Sequence, residues 1–354
     1  MFETIRVGLD DRSYPIIIGD DAWSHLMPHI EDDLPSSVMV VADERVNELF
    51  GRRLKDLLAR SRVKLKFCLV PEGESSKSFS LLESLCRRMA KSGMDRESLV
   101  LALGGGVVGD LAGLAASVYL RGVRLIQLPT TLVSMVDSSV GGKTGINIAE
   151  GKNLVGTFYQ PQAVLADTTT LVTLEERDWY SGLAEVIKIA LALDAELFNY
   201  LESVNDLGMS GDLDITRTVA AACRRKKEVV ELDEREAGLR KALNFGHTLG
   251  HGVEAGMGYG VLRHGEAVLL GMKAALNLSA QICGLPADQL QRAMDLIGRI
   301  PVPEIDIPKD LTRFIVRDKK SSGDQITGVL IKEIGKHEFV ELKDPKVLVE
   351  ALKE

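Results

Sequence analysis

Through its first half the chain alternates short, β-branched apolar runs with segments of helical period. That alternation restricts the fold more than any other feature. Tyr14–Ile18, Val38–Ala42, Val63–Val70, Leu99–Leu103 and Val123–Leu128 have the length and composition of strands. Between several of them, Val46–Ala59 and Phe79–Lys91 repeat apolar residues at i, i+3 and i+4, as helices do. Strand, helix, strand repeated in this way calls for a parallel sheet covered by helices on both faces, which binds ligands at the carboxyl ends of its strands. From about Leu174 the pattern changes to long helical stretches: Leu183–Leu193, Leu213–Val230, Ala267–Ile282 and Asp288–Arg299. Only Gln325–Leu342 reads as strand again, with a turn around Glu333-Ile334-Gly335. The expected architecture is α/β, with a nucleotide-type parallel-sheet domain over residues 1–174 and a mainly helical domain over 175–354. The functional site is expected in the cleft between them.

Charge and cysteine usage narrow the class. Lys plus Arg number 43 against 51 Asp plus Glu in 354 residues, a balance of −8. An acidic chain is a poor candidate for nucleic acid, which calls for a basic face. No run of about eighteen apolar residues suggests a membrane span, and the first residues lack the basic-then-apolar pattern of a signal peptide. Cys68, Cys86, Cys223 and Cys283 are scattered, without a CxxC pair, as expected of thiols in a reducing cytoplasm.

Several segments carry residue types suited to chemistry. Leu99–Leu103 runs into Gly104-Gly105-Gly106-Val107-Val108-Gly109-Asp110, in which Gly104, Gly106 and Gly109 satisfy GxGxxG. Such glycines let backbone approach a pyrophosphate at a helix N-terminus. No acid follows about 20 residues later to take a ribose; Asp43, at the end of Val38–Ala42, offers one instead. A tight strand-to-helix turn is the alternative. The loop containing Glu72, Glu74 and Lys77 follows another strand end and suits ribose or adenine, or is an ordinary polar loop. Thr130 and Thr131 end a further strand, where Thr131 or a neighbour could cap the next helix. Gly141-Gly142-Lys143-Thr144 lacks the P-loop spacing, yet glycines with Lys143, Lys152 and Asn153 suit a phosphate; a solvated glycine loop is the other reading.

Histidine is scarce, six in all, and three of the six lie between residues 247 and 264. His247 and His251 are spaced i, i+4, on one helix face, with His264 beyond. Upstream, Glu185 and Lys188 stand i, i+3 in an otherwise apolar helical run. A carboxylate with neutral imidazoles is a divalent-metal set. From spacing alone His247 and His251 are the first ligands, with His264 and a distant acid completing the shell. Basic residues gather nearby. In Arg224-Arg225-Lys226-Lys227, followed by Glu228 and Glu231, most charges read as a helix face with i, i+4 pairs. Arg240 lies seven residues before His247, on the same face if that helix extends so far back. Arg317-Asp318-Lys319-Lys320 opens the last strand region. Around a metal, such a collection suits a substrate bearing phosphate and carboxylate.

In this order Gly104–Asp110, Leu128–Thr131, Asp137–Asn147, Glu185–Lys188 and Asn244–His264 resemble the 3-dehydroquinate synthase family, and the resemblance covers nearly the whole chain. It implies a Rossmann-like domain followed by a helical one, a cytoplasmic homodimer, NAD as cofactor and Zn2+ or Co2+ as metal. The implied reaction converts 3-deoxy-D-arabino-heptulosonate 7-phosphate to 3-dehydroquinate and phosphate. Its stages are transient oxidation by NAD, β-elimination of phosphate, re-reduction and an intramolecular aldol closure, in the shikimate route to aromatic amino acids. The family pattern assigns the metal to Glu185, His247 and His264 and turns His251 to substrate, replacing the assignment from spacing. It places NAD against Asp43, Glu72, Glu74, Lys77, the turn Gly105, Gly106, Val107, Val108, Gly109 and Asp110, then Thr130, Thr131, Lys143, Lys152 and the run Thr170, Leu171, Val172, Thr173. Asp137, Lys143, Lys152, Asn153, Lys188, Lys226, Arg240, Asn244 and either Lys319 or Lys320 match its substrate positions. Arg121 resembles an arginine that reaches the neighbouring subunit's phosphate site. One departure is Arg45, where the family commonly has asparagine, on the adenosine side of the cofactor. A metal-dependent polyol or alcohol dehydrogenase is the rival from another class; it would not need Lys226 and Arg240. A second rival is another sugar-phosphate cyclase whose substrate lacks the carboxylate, in which that pair would be expected to differ.

Overall fold

The structure of the chain, a computed structural model, describes residues 2–352 except 60, 62, 259, 307, 309–310 and 320–325; for 316–319 and 326 it describes the backbone alone. Two compact units result, Met1–Leu174 with Ile215–Cys223, and Glu175–Asp214 with Arg224–Glu354. Among the described residues no helix is long and apolar enough to cross a membrane.

The first unit is built on strands β1 (Phe2–Val7), β2 (Tyr14–Gly19), β3 (Ser37–Asp43), β4 (Lys64–Val70), β5 (Leu99–Gly104) and β6 (Arg124–Pro129). A separate hairpin, β7 (Lys143–Ile148) and β8 (Gly151–Phe158), precedes β9 (Ala163–Asp167). The sheet order is β1-β2-β9-β6-β5-β3-β4, parallel throughout except for the β1–β2 pair. Successive residues of a strand face opposite sides, and here both sides are buried. Val38, Val40, Leu99, Leu101 and Leu103 pack with Phe50, Leu54 and Trp23, whereas Met39, Val41, Val100 and Ala102 pack with Leu85, Leu111 and Ala115. That double burial is why these strands read as unbroken apolar runs. The helix expected at Phe79–Lys91 is present with those bounds, its N-terminus capped by the Ser78 hydroxyl. The stretch expected at Val46–Ala59 begins at Glu44 and passes through a π-turn at Asn47–Gly51.

The second unit is mainly helical, with Glu176–Leu193, His247–Met257 and His264–Leu278 at its centre. Those helices approach closely because glycine faces backbone. A Cβ on Gly265 would lie 2.2 Å from the Ser181 carbonyl oxygen, and one on Gly271 would lie 1.9 Å from that of Gly246. Gly271→Ala gains about 1 kcal/mol of helix propensity, but a methyl forced against backbone has no flexible neighbour to displace. Overpacking at about 1–3 kcal/mol or more therefore wins, and the urea midpoint is expected to fall; an unchanged midpoint would contradict the packing described. The strands expected in Gln325–Leu342 are Ile326–Glu333 and Lys336–Leu342, turning at Ile334-Gly335.

Two expectations need correction. Arg317–Lys319 does not open the strand region but ends the helix Thr312–Lys319, and Lys320 lies outside the described residues. The segment containing Arg240 is not an extension of the His247 helix. It is a 3-10 turn, Leu239–Asn244, and Gly246 separates the two with φ +77°. There a side chain would meet Met272 and the Val268 carbonyl, so only glycine suits both the conformation and the space.

Candidate active site

In the first unit, topology gathers the cofactor candidates. The chain runs from β3 outward to β4, returns to β5 on the other side of β3, and continues to β6. The β3–β5 boundary is therefore the topological switch point, where open parallel sheets leave a crevice at their carboxyl ends. Asp43 ends β3, and Gly105 and Gly106 follow β5; Thr130 and Thr131 follow β6, and residues 168–173 follow β9, all at that edge. The helix Gly106–Val118 starts at the switch point with no side chain capping it, so its first amides remain available to an anion. Its glycines are also packing residues. A Cβ would meet Val108 from Gly104, Thr131 from Gly105, Ser138 from Gly106 and Gln127 from Gly109 at 2.9–3.2 Å. The pyrophosphate reading and the tight-turn reading thus describe the same geometry.

The individual side chains have local partners. Asp43 accepts from the Val46 amide at 2.7 Å, capping the next helix, and burial raises its pKa. Arg45 and Glu72 are exposed. Thr131 does act as a cap, its hydroxyl accepting from the Ser134 amide. Thr170 and Leu171 are buried, whereas Val172 is exposed; the Thr173 hydroxyl donates to the Thr170 carbonyl. Lys77 is the buried hub of the region. Its ammonium donates to Asp110 at 2.6 Å and to the Asn153 side chain. Burial raises the Asp110 pKa, with Lys77 opposing and Glu74 and Asp137 adding to the rise.

Lys143, Lys152 and Asn153 all lie on the β7–β8 hairpin, so the stretch open to reading as a solvated glycine loop is strand from Lys143 onward. The hairpin is clasped by Asn147, which sequence reasoning did not single out. Its amide group donates to Glu74 at 2.7 Å, its side-chain oxygen accepts from the Asn153 amide at 2.8 Å, and its backbone amide donates to the Lys77 carbonyl. Arg121 does not join these residues. The helix Gly106–Val118 carries the chain about 20 Å away, and Arg121 sits exposed just before β6 begins, at the opposite edge of the sheet.

In the second unit Glu185 and Lys188 lie on the fully buried stretch of their helix, the lysine ammonium bonded to Glu185 Oε2. The other oxygen, Glu185 Oε1, faces His247 Nε2 at 3.7 Å and His264 Nε2 at 3.3 Å. It is buried and aligned for a hydrogen bond with neither. One ligating nitrogen of each of His247, His251 and His264 lies within 4.8 Å of the others. Behind the cluster, His247 Nδ1 meets the Phe245 carbonyl at 3.2 Å. A carbonyl only accepts, so Nδ1 carries the proton and Nε2 presents a lone pair. His264 Nδ1 meets Glu254 Oε2 at 3.2 Å, and since a carboxylate accepts, that nitrogen too carries a proton. An orphaned buried carboxylate oxygen beside convergent imidazole nitrogens fits a divalent cation.

Electrostatics agree with that fit. Burial pushes Glu185 up, but Lys188, His247 and His264 together hold it well below the carboxylate range. Burial lowers His247 to about 3. Burial opposes charge on His264 as well, but Glu185 and Glu254 overcome it and raise that histidine from 6.5 to about 10. The metal-free protein therefore keeps a proton on His264 at neutral pH. Its stabilisation is complete below 6.5 and is lost as pH rises through about 10. A dication entering near pH 7 must expel that proton. Zinc titrations in buffers of different ionisation enthalpy are expected to show about one proton released per metal bound; none released would disprove the charge assignment.

The remaining candidates are less concentrated. Arg240 is buried and donates to the Glu234 carbonyl; Asn244 donates to Glu236, a second residue missed from sequence. Of the basic run, Lys226 is buried, Arg224 is exposed, Lys227 pairs with Glu231, and Arg225 bonds Asp194 and Glu228. Glu254 was also missed, although it stands i+7 from His247 and i+3 from His251 on one helix face, a legible signal.

The fold is that of the sugar-phosphate cyclases. Over 99% of both chains it superposes on 2-deoxy-scyllo-inosose synthase complexed with carbaglucose-6-phosphate, NAD+ and Co2+, with TM-score 0.90 at 23% identity. The 2-epi-5-epi-valiolone synthase of Streptomyces hygroscopicus, with NAD+ and Zn2+ bound, matches at TM-score 0.86 and 31% identity, over 98% of this chain and 97% of that one. Residues 67–181 match the family model of the 3-dehydroquinate synthase N-terminal region, and 182–321 that of the C-terminal region. The 3-dehydroquinate synthase of Dictyoglomus thermophilum is 44% identical over 99% of this chain and 98% of its own length. The chain belongs to the 3-dehydroquinate synthase family.

Proposed function

We infer that the chain converts 3-deoxy-D-arabino-heptulosonate 7-phosphate to 3-dehydroquinate and phosphate, in the shikimate route. The observation that carries this reading is the Glu185–His247–His251–His264 cluster, built around a fully buried carboxylate, in a chain with family relatives over nearly its whole length. Residues 1–174 form the NAD-binding domain and 175–354 the metal- and substrate-binding domain. The uncapped helix at the switch point and Asp43 suit the pyrophosphate and ribose of NAD. Glu185, His247 and His264 hold Zn2+ or Co2+, supported by the orphaned Oε1 that faces those two imidazoles. When bound, NAD accepts and returns a hydride, and the metal supplies Lewis acidity to substrate hydroxyls.

The chain's own residues supply binding, orientation and charge. Lys143, Lys152 and Asn153 on the hairpin stabilise phosphate, and the buried cations Lys226 and Arg240 hold the carboxylate. Lys188 fixes Glu185 in its ionised form. His251, half-buried beside the metal candidates, moves a proton at the substrate; Asn244, Asp137 and either Lys319 or Lys320 are the further substrate contacts that the family pattern assigns, the two lysine side chains lying outside the described residues. Arg121 lies away from these groups within its own unit, which supports its serving the phosphate site of a second copy in a homodimer. The compartment is the cytoplasm.

Purified protein given the heptulosonate phosphate, zinc and trace NAD+ is expected to release phosphate and dehydroquinate in equal amounts without accumulating NADH, and a chelator is expected to stop it. Stoichiometric NADH would indicate a dehydrogenase instead, and phosphate release that ignores the chelator would refute the metal-dependent reading.

A further inference from the structure

We propose that Glu254 is a positioning residue for the metal: it locks His264 in the tautomer and ring orientation that direct Nε2 toward Glu185, and its charge strengthens that site for a dication. The inference rests on the metal reading above and extends it to a residue outside the ligand set.

The geometry is specific. Glu254 Oε2 meets His264 Nδ1 at 3.2 Å, and the opposite ring nitrogen of the same imidazole stands 3.3 Å from Glu185 Oε1. The imidazole is thus held between two carboxylates on its two sides. Glu254 is buried, 6% exposed, on the helix His247–Met257 that also carries His247 and His251. His264 opens a different helix, His264–Leu278. The contact therefore joins two helices that each contribute imidazoles, and fixes a ring that is part-exposed at the start of its helix.

Charge gives the second half of the inference. With the His264 ring neutral, as a metal ligand must be, Glu185 and Glu254 stand as two buried carboxylates against the buried ammonium of Lys188, a surplus of one negative charge. A dication answers that surplus. A glutamine at 254 keeps a hydrogen-bond acceptor for Nδ1–H but removes the charge; a leucine removes both. His247 provides the internal contrast, since its Nδ1 is held by the neutral Phe245 carbonyl. The two imidazoles are therefore supported unequally, and loss of Glu254 should act through His264.

The test measures metal affinity directly, by competing Zn2+ against a chromophoric chelator in metal-free protein. Outer partners of metal-bound histidines are typically worth 10–100-fold in affinity; E254Q is expected near the lower end, about tenfold, and E254L near the upper, about a hundredfold. The visible spectrum of the Co2+-loaded protein should also change in both variants, which a merely structural residue would not cause. If E254L fails to fold, the isosteric E254Q decides. E254Q and E254L binding zinc within about twofold of the parent, with an unchanged cobalt spectrum, overturn the inference while leaving the metal reading intact. A parent that takes up no zinc overturns the metal reading itself.

Discussion

His264→Ala is expected to lower zinc affinity by more than about a hundredfold, since even an outer partner of a metal-bound histidine is worth 10–100-fold, and to reduce turnover to background. The ring removed is the one that faces Glu185 Oε1 on one side and Glu254 on the other. Its loss leaves two buried carboxylates with Lys188 as their remaining buried cation among the groups described around them. NAD binding should survive, because the residues proposed to hold NAD belong to the other compact unit. Zinc competition, phosphate release and NAD binding, measured on one preparation, separate these effects. Zinc uptake and turnover both at the parental level would mean that the metal set is wrongly assigned, and parental turnover with zinc uptake abolished would mean that the reaction does not need the metal.

Lys188→Met is expected to destabilise the metal-free protein by about 3–5 kcal/mol, the range found when one partner of a buried ion pair is removed. Both members lie on the helix Glu176–Leu193, whose stretch from Ser181 to Ala192 is buried, so Glu185 has little recourse to water. Methionine fills most of the lysine's volume, which confines the loss to charge rather than a cavity. Glu185→Gln added to Lys188→Met should recover much of the stability, as a neutral amide no longer needs the ammonium. Zinc should also narrow the deficit, because a dication beside Glu185 takes over part of the lysine's role. Urea unfolding of the single and double variants, with and without zinc, measures all three. A double variant no more stable than Lys188→Met would show that the lysine contributes through packing.

The parallel sheet was legible because both of its faces are buried. β3 and β5 carry their signature as continuous apolar runs, and the helix Phe79–Lys91 as a regular 3.6 period. β1, the β7–β8 hairpin and β9 were not read as strands. Gly141 through Asn147 looks like a flexible loop when taken alone, and its strand conformation is supported by the Asn147 clasp to Glu74, Lys77 and Asn153. Those partners lie some seventy residues apart in sequence or across a turn, so no local pattern announces them. Whether Arg240 shares the helix of His247 is open in the sequence, because spacing alone does not show a left-handed glycine at 246.

Sequence by itself determined the class of sheet, the helical second half, and the residue types from which a metal and phosphate site could be made. It did so because burial on both faces makes each strand of such a sheet a continuous apolar run, and burial on one face imposes a period of 3.6 on its helices. Spacing on one helix chose His247 and His251, since a linear pattern shows proximity only along a single element, as at i, i+4. Tertiary structure shows His264 on the next helix and Glu185 on a helix some sixty residues earlier, both already candidates from sequence, converging on one point with Glu254 behind them. The physical reason is that a buried ion site needs ligands converging from several directions, which one helix face does not provide. Backbone close approach at Gly265 and Gly271 lets the three helices meet, and that contact is recorded only in three dimensions.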